Sequence, residues 1–395
     1  MTKEKGNDMS LEQEIEQFLK ERGVLKVGFA NLETLSGGPP SADLTYILPD
    51  AQSAVSFALP LDREAIRLFL SKKNYQKHVQ DNIDVNRKCV YIARDLADWL
   101  VDRGYKATIA PPPGNMAIRG QTGTKLNPGG GNEYQYRQEI LGWGSFKKLY
   151  QYRQEIRGWR LTLPPAVSHS YIAVRSGVAS YGRSGCVGIK GIGATIILGS
   201  VITSAKLKTT ESLSEKDNFC DNCKLCISAC PTRWMERDKE VTVTLGGQSF
   251  THSARKSLTR CQISCGGFSG LDISGKWSTW SPGRFKIPDD DKMMLQTLVR
   301  AFKKYKKWPK FTDDFKPPVR VTCANCQLIC FGNRKETAEN YRMLVKSGCV
   351  VQNPDGSIVV LPPEEAEKHF HSLPKNHRRK YTIERESDSI KFSVY

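Results

Sequence analysis

No stretch of this 395-residue chain is apolar for long enough to cross a bilayer. Its longest apolar region, residues 192–202, is punctuated by glycine and reads as a buried strand. The opening residues, MTKEKGNDMSLEQEIEQ, are charged and carry neither an apolar signal core nor a twin arginine. No membrane partner is therefore expected, and a reducing cytoplasm is the expected compartment. A GxxxxGK[ST] loop is missing, so a phosphate-binding P-loop is excluded. Twelve cysteines are too few to staple a chain of this length as a disulfide scaffold, and they are clustered, which suits metal binding. Acidic residues are also short, with 41 Asp and Glu against 59 Lys and Arg. Residues 134–190 hold nine Lys and Arg against two Glu, and residues 301–346 hold eleven against four acids. Such basic stretches can steer an anionic partner (RNA, an acidic flavodoxin, a corrinoid phosphate) or simply remain a solvated surface.

What the chain does contain is FCDNCKLCISACP, Phe219 to Pro231. It spaces Cys220, Cys223, Cys226 and Cys230 as C-x2-C-x2-C-x3-C, followed by proline, the bacterial ferredoxin run for a [4Fe–4S] cluster. Two-residue gaps let three thiolates of one tight turn reach three corners of a cube. The fourth cysteine of such a run ligates a second cluster. Zinc sites prefer paired C-x2-C units across a longer spacer, which this run is not.

A second cluster needs further thiols, and the chain supplies them. Cys323, Cys326 and Cys330 form C-x2-C-x3-C, and TRCQISCGG offers Cys261 and Cys265. The crossing rule gives the first cluster Cys220, Cys223, Cys226 and Cys330, and gives the second Cys230, Cys323 and Cys326. Its fourth ligand is Cys261 or Cys265; spacing alone does not choose. Two cubes in this arrangement form a short wire for single electrons. Cys89, on the apolar stripe of a helix, and Cys349 read as packed thiols; Cys186, inside the glycine-rich region, reads as a packed small residue or a reactive thiol facing a cofactor.

Ser10 and Gln13 form a capping box before Leu11, Ile15, Phe18 and Leu19 at helical spacing, with Gly23 as the stop. Strands are expected at 24–30, 51–59, 105–110 and 241–245. Residues 82–103 form the best amphipathic helix, and 293–305 another. Helices alternating with strands predict an α+β layer domain over residues 1–210. A cysteine-bearing domain follows over 211–350, with an insertion at 240–320, and then a charged tail over 351–395. His369 and His371 in that tail read as solvated. Trp277 and Trp280 lie in a loop placed to cover a cluster or cofactor. YQYRQEILGW at 134–143 returns as YQYRQEIRGW at 150–159. Two copies are too few for a solenoid and fit a local surface duplication, or an aromatic and arginine platform for a ligand. Between 163 and 203, Gly177, Gly182, Gly185 and Gly188 give a backbone that a flat ligand can approach closely.

RSGVASYGRSGCVGIKGIGATIILGSVIT, the C-x2-C-x2-C-x3-CP run, the Arg260–Cys261 pair and the closing C-x2-C-x3-C together resemble the family of epoxyqueuosine reductases and reductive dehalogenases. The resemblance covers most of residues 20–335. It implies a nitroreductase-like α/β/α layer domain followed by a two-cluster ferredoxin-like domain, two [4Fe–4S] clusters and a base-off cobalamin. A flavin suits the same layer domain. It also implies Cys261 as the eighth ligand, the four glycines as cofactor-binding, and a low-potential donor such as ferredoxin or flavodoxin. In that chemistry the corrinoid drives reductive cleavage of a C–O or C–halogen bond, and tRNA is the partner of the epoxyqueuosine enzymes. The alternative is a two-cluster electron carrier or reductive activator. Departures are visible. Ser176, Gly177 and Gly182 fit the family's AGLGWIGK-type motif, whereas Ala179 and Ser180 replace its Gly-Trp. Leu163 falls near the family's proton-donating Asp, and no acid lies between Glu155 and Lys190. His169, Tyr171 and Tyr181 are the stand-in proton donors by chemical type.

Overall fold

The computed structural model describes residues 9–110, 167–305 and 322–382. The tandem repeat, Leu163 and much of both basic stretches lie outside the described residues. Ser10 caps α1 (Leu11–Lys20), its Oγ accepting from Gln13 N while Gln13 Oε1 accepts from Ser10 N at 2.9 Å. The chain continues through β1 (Lys26–Asn31), β2 (Ser53–Pro60), α2 (Arg63–Leu70), α3 (Gln76–Val101) and β3 (Ala107–Ile109). After the undescribed segment come α4 (His169–Arg175), β4 (Ser180–Tyr181), β5 (Val187–Gly188) and β6 (Ile196–Thr203).

Four of these strands pair antiparallel in the order β1-β2-β6-β3. Alternation along β2 sends Val55, Phe57 and Leu59 to one face and Ala54 and Ala58 to the other. The first face is covered by Ile15 and Leu19 of α1 and by Cys89, Ile92, Leu96 and Leu100 of α3. The second is covered by Leu44, Ile47 and Ile172, the last from α4. The sheet thus has helices on both faces. Gly199 of β6 lies against the Phe57 ring, where an added Cβ would stand 2.2 Å from ring carbon. Cys89 is packed as its stripe predicts, and burial pushes its thiol up to about 12.

The cysteine-bearing part follows. Its elements are α5 (Leu225–Ser228), the hairpin of β7 (Met235–Leu245) and β8 (Gln248–Arg255), α6 (Leu258–Cys265) and α7 (Asp291–Tyr305). Then come α8 (Asn325–Leu328), α9 (Arg334–Val345), β9 (Cys349–Gln352), β10 (Ile358–Leu361), α10 (Pro363–Ser372) and α11 (Lys375–Arg378). The residues after 350 are therefore not a loose charged extension, at least to 382. α10 buries Ala366 and Phe370 against Cys349 and Val351 of β9, and Tyr381 completes that small core. His369 Nε2 bonds Asn353 Oδ1 at 2.8 Å, while the exposed His371 bonds Glu367. Charge dominates the pattern there because few apolar residues suffice for so thin a layer.

The two parts share one core. Leu61, just after β2, Ile66 and Phe69 of α2, and Val79 and Ile83 of α3 pack with Cys226, Ile227, Trp277, Trp280, Ile329 and Phe331. Arg63 stitches the seam: its Nη2 donates to the carbonyls of Gly191 at 2.9 Å and Phe331 at 3.1 Å, and its guanidinium lies 4.6 Å over the Phe331 ring. Glu336 pairs with both Arg63 and Arg67.

Candidate metal centre

Two short turns of like build carry most of the thiols. Cys223, Cys226 and Cys230 have the same spacing as Cys323, Cys326 and Cys330, a hundred residues later. In both, the residue after the first cysteine is left-handed, Lys224 at φ 58° and Ala324 at φ 93°. In both a four-residue helix follows, α5 or α8, and the last cysteine's N–H closes on a carbonyl three residues back, Ile227 or Gln327. The two helices pack together, and Asn325 Nδ2 donates to Ala229 O at 3.4 Å.

The turns aim amides at sulfur. Arg183 N donates to Cys220 Sγ at 3.3 Å and Trp234 N to Cys230 Sγ at 3.3 Å. Leu225 N serves Cys223, Asn325 N serves Cys323, and Gly332 N serves Cys330. Such donors stabilise negative charge on sulfur. β4 delivers Arg183 because Ser180 and Asn218 tie it to the motif: Ser180 Oγ meets Asn218 Oδ1 at 3.0 Å, and Cys220 N donates to the same oxygen at 2.9 Å.

The thiols fall into two groups. Cys226 has Cys186, Cys330, Cys220 and Cys223 as its neighbouring thiols, and Cys330 has Cys220 and Cys186. Cys261 has Cys265, Cys323 and Cys230; Cys326 has Cys186, Cys261 and Cys230; Cys323 has Cys230 and Cys265. Cys330 thus stands with the first run, and Cys230 with the last. Burial, then the neighbouring sulfurs, pushes Cys226 up strongly; burial also takes Cys323 and Cys330 to about 11. Cys261 and Cys265 lie four apart on α6 and touch, so both thiols reach the second group.

Arg260 fixes that helix. Its side chain is 2% exposed, its Nε donates to Asp291 Oδ1 at 2.6 Å, and its other nitrogens donate to Thr232 O at 3.3 Å and Pro288 O at 2.8 Å. It therefore ties α6 to the residues just after the first run. Trp277 and Trp280 are buried in the core that also holds Cys226 and, partly buried, Cys230 and Cys326. Trp280 Nε1 donates to Phe69 O at 2.9 Å.

A set of soft, mostly half-buried thiols with amides aimed at sulfur fits iron–sulfur clusters; Cys220, Cys223, Cys226 and Cys330 would hold one, and Cys230, Cys323, Cys326 and Cys261 or Cys265 the other. Among the described residues, no three His, Cys, Asp or Glu side chains converge as they would on a single ion. A cube sets its thiolates at separate corners, farther apart than the ligands of one ion.

The four glycines singled out in sequence face the chain itself. An added Cβ on Gly177 would meet Glu211 O at 2.1 Å; on Gly182, the Phe219 ring at 2.6 Å; on Gly185, Arg255 Nη2 at 2.1 Å; on Gly188, Gly193 O at 2.4 Å. They let Phe219, Arg255 and two backbone segments pack closely. Of the stand-in acids, Tyr171 and Tyr181 pack in one apolar cluster. His169 Nδ1 bonds Ser200 Oγ on β6 at 3.0 Å. Tyr181 is two residues from the amide that serves Cys220. His252 of β8, which no sequence signal marks, lies 5.3 Å from the Tyr181 ring. Cys186 lies near Cys226, Cys326 and Cys330. Only its nearness in sequence to the glycines had marked it.

No family model and no curated protein matches the sequence. Solved structures do. A catabolic reductive dehalogenase aligns with 67% of this chain at 13% identity and a TM-score of 0.41, and the match spans 31% of that protein's own chain. The epoxyqueuosine reductase of Streptococcus thermophilus aligns with 94% of this chain and 75% of its own, at 16% identity and a TM-score of 0.33. That of Bacillus subtilis covers 94% and 88%, at 13% identity and a TM-score of 0.36. The likeness is distant, and at that level it says nothing of substrate or cofactor. Among the described residues no helix is long and apolar enough to cross a membrane.

Proposed function

We propose that this chain is an iron–sulfur reductase that passes single electrons through two [4Fe–4S] clusters to a second redox group, for reductive cleavage of a substrate. The observation that carries the reading is the exchange of cysteines: Cys330 among the neighbours of Cys226, and Cys230 among those of Cys261, Cys323 and Cys326. That is the crossing expected of two-cluster ferredoxins. The ligands are Cys220, Cys223, Cys226 and Cys330 for one cluster, and Cys230, Cys323, Cys326 and Cys261 for the other. The second redox group is a corrinoid by the sequence resemblance, with a flavin as the other candidate. A ferredoxin or flavodoxin supplies electrons from outside, and Tyr171, Tyr181 or His169 supplies the proton. Anaerobic reconstitution with iron and sulfide yields about eight irons per chain. An absorption spectrum taken after incubation with cobalamin or flavin separates cobalt, flavin and cluster-only forms. Failure to take up iron overturns the whole reading.

One observation favours a second reading, an electron carrier or reductive activator without an organic cofactor. The space beside Gly177, Gly182, Gly185 and Gly188 is filled by the chain's own atoms. That reading predicts reversible cluster reduction with no cobalamin or flavin retained on gel filtration.

A further inference from the structure

The turn between α2 and α3 is cationic. From Ala65 to Gln80 the chain holds Arg67, Lys72, Lys73 and Lys77, and no Asp or Glu. The turn is tight: Lys72 is left-handed at φ 56°, and the N–H groups of Lys73 and Asn74 both donate to Leu68 O, at 3.0 and 3.2 Å. Lys73 and Lys77 are exposed. Two more exposed lysines come to the same place from the cysteine region. Lys72 Nζ donates to Ser347 Oγ, which sets Lys346, just after α9, beside the turn. Ser278 N donates to Gly348 O at 3.2 Å, and this brings Lys276 to the same end of α9. Lys73, Lys276 and Lys346 make no ion pair among the described residues, whereas Lys77 pairs with Glu64 at 3.2 Å. Asp272, the acid of the Lys276 loop, is buried and accepts from Ser274 N at 2.8 Å.

Behind these lysines lies an aromatic stack. Tyr75, at the end of the turn, is buried, and its ring stands edge-on to Trp280 at 5.1 Å. Phe69 meets the Trp280 and Tyr75 rings at 5.8 and 5.9 Å. Trp280 N donates to Thr322 O at 3.0 Å, and Thr322 Oγ1 donates to Ser264 O at 2.9 Å. Thr322 precedes Cys323, and Ser264 precedes Cys265. Packed rings and hydrogen bonds thus lead from the lysines to the backbone of the second cysteine group. We propose that this lysine-bearing turn is the docking surface for a small acidic electron-donor protein, which delivers single electrons past Tyr75 and Trp280 to the second cluster. The proposal deepens the iron–sulfur reading above and rests on it. Unpaired lysines around the turn attract and orient an acidic partner. Both rings are buried, so they offer no face for stacking bases, and that favours a protein over RNA. In the step itself the donor's reduced flavin or cluster loses one electron and the second cluster gains it; no covalent bond forms or breaks.

The test uses flavodoxin as the donor and full-length, anaerobically reconstituted protein. Stopped-flow absorbance follows cluster reduction by flavodoxin hydroquinone, and fluorescence anisotropy of labelled flavodoxin gives the affinity. Lys73→Glu/Lys346→Glu lowers both the second-order rate and the affinity by about tenfold at low ionic strength. The difference from wild type shrinks as salt is added. Lys88→Glu/Lys206→Glu makes the same charge change at exposed lysines of the sheet region and alters either quantity by less than about twofold. Dithionite, which needs no docking, reduces the clusters of all three proteins. Equal losses in the two double variants overturn the docking surface, since net charge alone then governs the encounter. So does an unchanged Lys73→Glu/Lys346→Glu protein. A stem-loop RNA that displaces flavodoxin from wild type but not from Lys73→Glu/Lys346→Glu assigns the turn to nucleic acid and overturns it too. Wild type that takes up no iron removes the iron–sulfur reading, and the docking surface then stands or falls on the affinities alone.

Discussion

The sheet region and the cysteine region bury their side chains on opposite terms. Around β1, β2, β6 and β3 the interior is Ile, Leu, Val and Phe from strands and two helices, and it is complete as it stands. Around α5, α6 and α8, thiols are set among Ile227, Trp277, Trp280, Leu328 and Ile329. Burial, then neighbouring thiols, disfavours ionisation of Cys226 and Cys323, and a shared metal charge would reverse that. One region packs on apolar side chains alone; the other sets its thiols among them. The contrast lies between two kinds of core within one chain, joined by the packing of α2 and α3 under the cysteine turns.

Three substitutions sharpen that contrast. Phe57→Ala removes a fully buried ring from the sheet core and costs about 3–5 kcal/mol in urea unfolding. The loss is the same with iron bound or removed, and a loss that vanishes in the iron-loaded protein would show the two cores to be one unit. Arg260→Ala frees α6 from Thr232, Pro288 and Asp291 and costs about 3 kcal/mol, toward the low end for a broken buried pair because Asp291 remains partly exposed. It also lowers iron occupancy, which Phe57→Ala does not; full occupancy with unchanged stability would refute the positioning role.

Lys72 gives the smallest effect and joins the two regions. It leaves α2 with a left-handed backbone, is 8% exposed, and donates to Ser347 Oγ. Burial lowers its pKa from 10.5 to about 7, against the opposing pull of Cys349. The unfolded chain holds that proton to higher pH than the folded one, so stability rises as pH climbs from 7 toward 10.5, and the cost is complete below 7. Lys72→Met is therefore more stable than wild type at pH 6, by about 2 kcal/mol, and the advantage shrinks by pH 9. Equal melting curves at both pH values would rule it out.

Local signals in the sequence were read well where one physical rule dominates. The Ser10–Gln13 box, the stripe from Cys89 to Leu100 and the buried run ending near Thr203 all appear as elements within a few residues of expectation. α3 starts at Gln76, earlier than the stripe predicts, because its first turns are largely polar. β7 starts at Met235 rather than Val241, since Arg237, Asp238, Lys239 and Glu240 face solvent and no alternation marks them. The likeness of the two cysteine turns is legible in the sequence, because Cys223, Cys226 and Cys230 repeat the spacing of Cys323, Cys326 and Cys330. Cys186 was not legible, because its place depends on β4 and β5 folding back on the motif. The glycines were legible as close-approach positions, but not in what approaches: Phe219 and Arg255 fill that space.

The exchange of the last cysteine between two matching turns has a consequence for how the protein is made. On the proposed ligand set, Cys226 leaves the ribosome more than a hundred residues before Cys330. At ordinary rates of synthesis that interval is on the order of ten seconds. For that time the first nascent site has three thiols and no fourth. Metal delivered during translation would find an incomplete receptacle, so loading belongs after release, when both turns are present to close on each other.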